Sequence, residues 1–240
     1  MASKASRRKF LHSAGVGVAA TAALGSTVSA FSTESKAAPK TIKIIAVSGS
    51  PRKGKTTAAA LKVALEAAKA VDPDLIETEL IELADFKVNG GLAAGIPLEA
   101  GEKDDFPDLA VKLTARNVAG MIVGSPVYFG SMTSLCKAFL DRCIAFRMRQ
   151  FALADKVGGA VAVGGVRNGG QELTLQGIQA ALLCQEMVVV GDGRPTCHWG
   201  ATVWNSGKDD ISQDEFGIST LKNLGRRVGE LGLKLAGIGK

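Results

Sequence analysis

The 240-residue chain predicts one α/β domain: a parallel sheet covered by helices on both faces. Two observations predict it. Five short apolar runs, too continuous for half-exposed strands, are spaced along the chain, and segments of helical period lie between them. A hydrophobic content of 46% with 22% charged residues is that of a packed globular chain, which excludes a disordered one.

Residues 42–48 form the first apolar run and end in Gly and Pro, so they read as a buried strand. Residues 56–71 are helical. Leu61, Leu65 and Ala68 share one face, Lys62 and Glu66 pair at i,i+4 on the other, and Pro73 closes the region. Residues 75–81 supply a second strand. Residues 84–103 are a long Gly-rich connection, of a length that usually serves function or stays mobile. Asp104 or Asp105 is placed to cap the next helix, with Pro107 in its first turn, and that helix extends to about Asn117. A third strand at 120–125, a helix at 133–144, a fourth strand at 157–163, a helix at 171–186 and a fifth strand at 187–190 follow. A closing helix spans 218–236, with Leu221, Leu224, Val228, Leu231 and Leu235 at alternating spacings of three and four.

The first thirty residues read differently. Arg7, Arg8 and Lys9 precede an apolar, Gly/Ala-rich stretch, and Val28-Ser29-Ala30 offers small residues for cleavage. The paired arginines followed by Phe10-Leu11 resemble a twin-arginine export signal, which implies a periplasmic protein carried folded by the twin-arginine export machinery. Left uncleaved, the segment would be an anchor, although it is short for a span and diluted by Gly, Ser and Thr. Residues 31–40 read as a linker, leaving 41–240 as the domain. Lys4, Arg7, Arg8 and Lys9 have no acid beside them within residues 1–30, so without that segment the net charge falls from +6 to +2. Such a body carries no footprint for nucleic acid.

None of Cys136, Cys143, Cys184 and Cys197 is spaced as a CxxC pair, so scattered and mostly buried thiols are expected, with no metal site.

The chemistry lies in three loops at the carboxyl ends of strands, where such sheets bind ligands. The first runs from Ser48 to Thr57. Its segment Gly49–Thr56 matches GxxxxGK[ST], the P-loop of nucleotide hydrolases, and the strand–loop–helix context is right. A P-loop enzyme also needs an acid at a strand end for Mg²⁺, and only Asp192 is a loose candidate. The alternative is a monophosphate site, in which the hydroxyls of Ser48, Ser50, Thr56 and Thr57 and the N–H groups at the helix start surround one phosphate, with Arg52 or Lys55 balancing its charge. The second loop, Ser125–Met132, holds Tyr128, the chain's one tyrosine, and Phe129. These rings are placed to stack on a flat ligand or to serve as core or interface aromatics. The third loop, Gly164–Glu172, has four glycines within seven residues, which lets backbone approach a ligand closely, or else makes a flexible turn with Arg167 solvated.

Together the segments GSPRKGKTT, GSPVYFGSMTSLCKAFLDR and GGVRNGGQE resemble the NADPH-dependent FMN reductase-like group of the flavodoxin-like superfamily, within it the iron–sulfur flavoproteins, over residues 41–238. The resemblance implies a flavodoxin-like five-stranded parallel sheet of order 2-1-3-4-5 and bound FMN. It places phosphate binding on Ser48, Ser50, Arg52, Gly54, Lys55, Thr56 and Thr57. Ring contacts fall on Pro126, Val127, Tyr128, Phe129 and Gly130, and on Gly164, Gly165, Arg167, Gly170 and Gln171. It implies a homodimer or homotetramer with the flavin near a subunit interface. Cluster-bearing members carry closely spaced cysteines after the second strand. Residues 82–106 here have none, so no Fe–S cluster is expected. The implied activity is an FMN-dependent oxidoreductase passing electrons from NAD(P)H, a membrane quinol or a redox protein to a quinone, flavin, metal or protein acceptor. No His or Cys stands in a loop as an evident acid, base or nucleophile, so no catalytic residue is named. A nucleotide-binding P-loop protein and a non-catalytic exported carrier or binding domain remain the competing readings.

Overall fold

The computed structural model describes residues 39–238; the signal and most of the linker expected from the sequence lie outside these residues, as do the last two. The elements in chain order are β1 Ile42–Ser48, α1 Thr56–Lys69, β2 Ile76–Glu82, α2 Phe106–Leu113, β3 Val118–Pro126, α3 Ser134–Arg142, α4 Ile144–Arg147, β4 Val157–Gly164, α5 Gln171–Leu183, β5 Val188–Val189, β6 Ala201–Trp204 and α6 Glu215–Leu235. The sheet order is β2-β1-β3-β4-β5, with β6 also paired to β4, and all pairings are parallel.

Successive strand residues point to opposite faces, so each strand feeds two cores. Ile44 and Ala46 of β1 join Val161 and Val163 of β4 under α1 and α6, packed on Leu61, Leu221, Leu224 and Val228. Ile45 and Val47 join Val123, Ala160 and Ala162 on the other face, under Leu109, Phe139, Leu175 and Ile178. This double burial is why the strands read as unbroken apolar runs. Helices α1 and α6 lie backbone to backbone: a Cβ on Gly225 would sit 1.9 Å from the Ala64 carbonyl oxygen, so only glycine permits the approach.

Four expectations are revised. The fifth strand position is filled twice: β5 pairs with the start of β4 and β6 with its end, Gly164 standing opposite Trp204. The four-residue ATVW segment is too short to announce itself as an apolar run. Asp105 stands at the N-cap of α2, but its side chain makes no capping bond. The Asp105 carboxylate accepts from the Lys87 N–H at 2.7 Å. The Asp104 carboxylate accepts from both guanidinium nitrogens of Arg142, at 2.5 and 2.8 Å. Arg142 also donates to the Asn89 carbonyl and lies 4.6 Å over the Phe106 ring. These bonds fasten the long connection to α3. Helix α2 ends early, where Thr114 Oγ1 donates back to the Ala110 carbonyl. Finally, only Cys136 and Cys143 are buried, while Cys184 and Cys197 are exposed.

Candidate functional site

Parallel pairing of β1, β3 and β4 as neighbours brings the three loops to one end of the sheet. They are tied to one another by close contacts. Thr133 Oγ1 donates to the Gly49 carbonyl at 2.5 Å, and Gly49 lies so near Cys136 that a Cβ would stand 2.5 Å from that residue's own. Gly170, at φ +102°, packs on Gly130: a Cβ there would come within 2.8 Å of the Gly130 Cα. The second and third loops therefore form two walls that meet at glycine.

The first loop has the chemistry to receive an anion. Helix α1 starts at Lys55 with no side-chain cap and no acid in its first turn, so its N–H dipoles have no negative partner from the chain's own first turn. Ser48 is fully buried, and its Oγ has no hydrogen-bond partner. A buried hydroxyl left unpaired is costly unless a ligand completes it. Thr56 and Thr57 are buried beside it. Ser50 is turned inward, its Oγ accepting from the Arg52 N–H and donating to the Arg52 carbonyl, both at 3.1 Å, which shapes the loop. Gly54, at φ +67°, makes the turn and donates its N–H to Glu82 Oε2 at 2.7 Å.

In the second loop Pro126 is buried at the end of β3, and Val127 donates to the Val163 carbonyl at 2.9 Å. Tyr128 and Ser131 exchange backbone bonds of 2.8 and 3.1 Å, forcing Phe129 and Gly130 to φ +50° and +75°. Phe129 is fully exposed, and Tyr128 about half exposed. The third loop is braced by Gln171, 2% exposed, whose amide donates to the Val166 carbonyl at 2.6 Å and accepts from the Gly169 N–H at 2.8 Å. Arg167 donates to the buried Asp214 at 2.6 Å and lies 5.7 Å over the Trp204 ring. Gly164 and Gly165 line the end of β4, and Gly165 borders a cavity of about 450 Å³ shared with Val166, Arg167, Trp204, Ser206 and Gly207.

A fourth loop, after β6, was not foreseen. Asn205 Nδ2 reaches Thr56 Oγ1 at 3.5 Å. Asp209 accepts from both guanidinium nitrogens of Arg52, at 3.0 and 2.7 Å, and lies 3.5 Å from Lys55 Nζ. The Arg52–Asp209 contact joins residues 157 apart in sequence, and the loop that makes it follows β6. Asp192, the acid weighed for a Mg²⁺ site, is fully buried. Its oxygens accept from Thr196 Oγ1 and the His198 N–H, bonds within its own loop.

Residues 42–199 match the family described as NADPH-dependent FMN reductase. The chain belongs to that family. It is an FMN-dependent oxidoreductase on a flavodoxin-like fold. This FMN reductase family member is 41% identical to an iron–sulfur flavoprotein of Methanocaldococcus jannaschii over 194 residues, covering 79% of the chain and 97% of the relative. It is 31% identical to an NAD(P)H dehydrogenase (quinone) of Afipia carboxidovorans, covering 72% and 87%. An apo NADH:FMN oxidoreductase structure aligns at TM-score 0.56 with 28% identity, over 79% of this chain and 89% of that one.

The residues present fit FMN. The orphaned Ser48 hydroxyl and the uncapped α1 suit one phosphate, and the cavity of about 450 Å³ bordered by Gly165, Arg167 and Trp204 has room for a flat ring. They do not fit an iron–sulfur cluster, which needs converging thiolates. Burial pushes the Cys136 thiol up to about 12 and raises the Cys143 thiol too. Among the described residues no group of three or more His, Cys, Asp or Glu could hold a metal ion.

Proposed function

We propose that the protein is a periplasmic NAD(P)H- or quinol-fed reductase whose FMN passes electrons to a small acceptor of the quinone class. The observation that carries the flavin site is the unpartnered Ser48 hydroxyl at the foot of an uncapped helix. Bound FMN supplies transfer of one or two electrons. The chain's residues bind and orient it. Ser48, Thr56, Thr57 and the first N–H groups of α1 hold the phosphate. Pro126, Val127, Tyr128 and Gly130 form one wall of the ring site, and Gly164, Gly165 and Gly170 form the other. Arg167, its charge partly offset by Asp214, lends positive potential beside the ring. The name of the Afipia relative supports a quinone acceptor. Arg7 and Arg8 support export. Phe129, fully solvated on left-handed backbone that a bulky residue rarely adopts, supports a homodimer or homotetramer in which a second copy covers it.

The test is to purify the full-length chain, record its visible spectrum, identify the released chromophore by mass, and add NADPH without oxygen. A yellow protein releasing FMN and bleached rapidly by NADPH supports a nicotinamide-fed reductase. A yellow protein bleached by a quinol and not by NADPH assigns the donor to the membrane pool. A colourless protein that takes up no FMN overturns the flavin reading.

A further inference from the structure

We propose that Asp209 is an internal competitor for the flavin phosphate, occupying the loop's cations and weakening the hold on FMN. The inference rests on the FMN reading and concerns the same site.

Arg52 and Lys55 are the cations that the sequence assigns to the phosphate, and in the structure both are engaged by one carboxylate. Asp209 forms a two-pronged bond with Arg52 and an ion pair with Lys55. The other charges of the loop are answered as well. Lys53 pairs with Asp85 at 2.8 Å, and the Gly54 N–H is taken by Glu82. A phosphate dianion entering here meets cations already neutralised and a negative charge beside them. The Arg52 bond, the strongest influence on Asp209, holds its carboxyl below the usual carboxylate range, so it remains charged at neutral pH. The contact is nevertheless weak enough to yield. Arg52, Lys55 and Asp209 are 48%, 50% and 34% exposed in their side chains, and solvent-exposed pairs contribute little net energy. A charge that an incoming phosphate must displace, at low energetic stake, is the arrangement expected of a competitor that lowers phosphate affinity without blocking the site.

The experiment is a flavin-fluorescence titration of the full chain with FMN and, separately, with riboflavin, which lacks the phosphate. It compares the native protein with Asp209→Asn and Asp209→Glu. Asp209 has φ +55°, a backbone that asparagine tolerates well, so the first substitution preserves the loop. Removing one negative charge from beside the phosphate tightens FMN binding about fivefold at low salt. Riboflavin affinity stays unchanged, Asp209→Glu matches the native protein, and 0.5 M salt erases the gain. Equal or weaker FMN binding by Asp209→Asn overturns the proposal, as does an equal tightening of riboflavin. If the native chain binds FMN and the variants do not differ, this inference alone fails. If it binds neither flavin, the flavin reading fails with it.

Discussion

Ser48 is a single side chain at which the proposed ligand binding can be tested apart from folding. Its hydroxyl is buried and unpaired, so it contributes nothing to the fold that alanine would forfeit. Ser48→Ala is expected to leave the melting temperature unchanged or slightly raised. It should weaken FMN about tenfold, the value of one hydrogen bond to a charged group, and leave riboflavin nearly unaffected. Thermal melts and the two titrations check this. The strand–glycine–hydroxyl–helix order of the first loop was legible in the sequence, because it is a local pattern. Two roles were not. Ser50 and Gln171 spend their polar atoms shaping their own loops, which only the folded backbone reveals. Asn205 and Asp209 reach the site from the far end of the chain, across a strand that four residues did not announce.

At the level of elements, the helices were found by their period and the strands by double burial. Their ends were set by groups that the pattern does not contain. The link between the Gly-rich connection and α3 is the clearest case. Asp104 and Arg142 have side chains only 7% and 10% exposed. Burial pushes the Asp104 carboxyl up, but the Arg142 guanidinium and the Asn89 N–H more than offset it, and the group titrates below the usual carboxylate range. A carboxyl with a folded-state pKa below its unfolded value stabilises the fold above the unfolded pKa, and that stability is lost as pH falls through the folded one. Melting temperature should therefore fall on acidification below about pH 4. Arg142→Ala should destabilise the protein by about 3 kcal/mol at pH 7, since it leaves a buried carboxylate unpaired. Part of that deficit should be recovered relative to the native protein at pH 3, where the Asp104 carboxyl of the variant, no longer held charged by the guanidinium, takes up a proton more readily. Denaturant unfolding at the two pH values measures both effects; an equal deficit at each would refute the assignment.

For the molecule as a whole, the layer arrangement followed from the continuous apolar runs, while the tightness of one layer did not. The contact of α1 with α6 is written in two glycines, Gly225 against the Ala64 carbonyl and Gly229 against that of Ala68. Gly225→Ala has no room and should destabilise the fold by about 2 kcal/mol or more, with flavin affinity falling only as far as α1 is displaced; urea melts report it. The split fifth position has a further consequence. A sheet ends in two borders where foreign chains can add themselves and begin to aggregate. Here one border consists of pieces two and four residues long, too brief to template a guest strand. The other, IETELIE, presents repeated glutamates that repel one. The described domain would thereby present another chain with no long apolar border to zip onto.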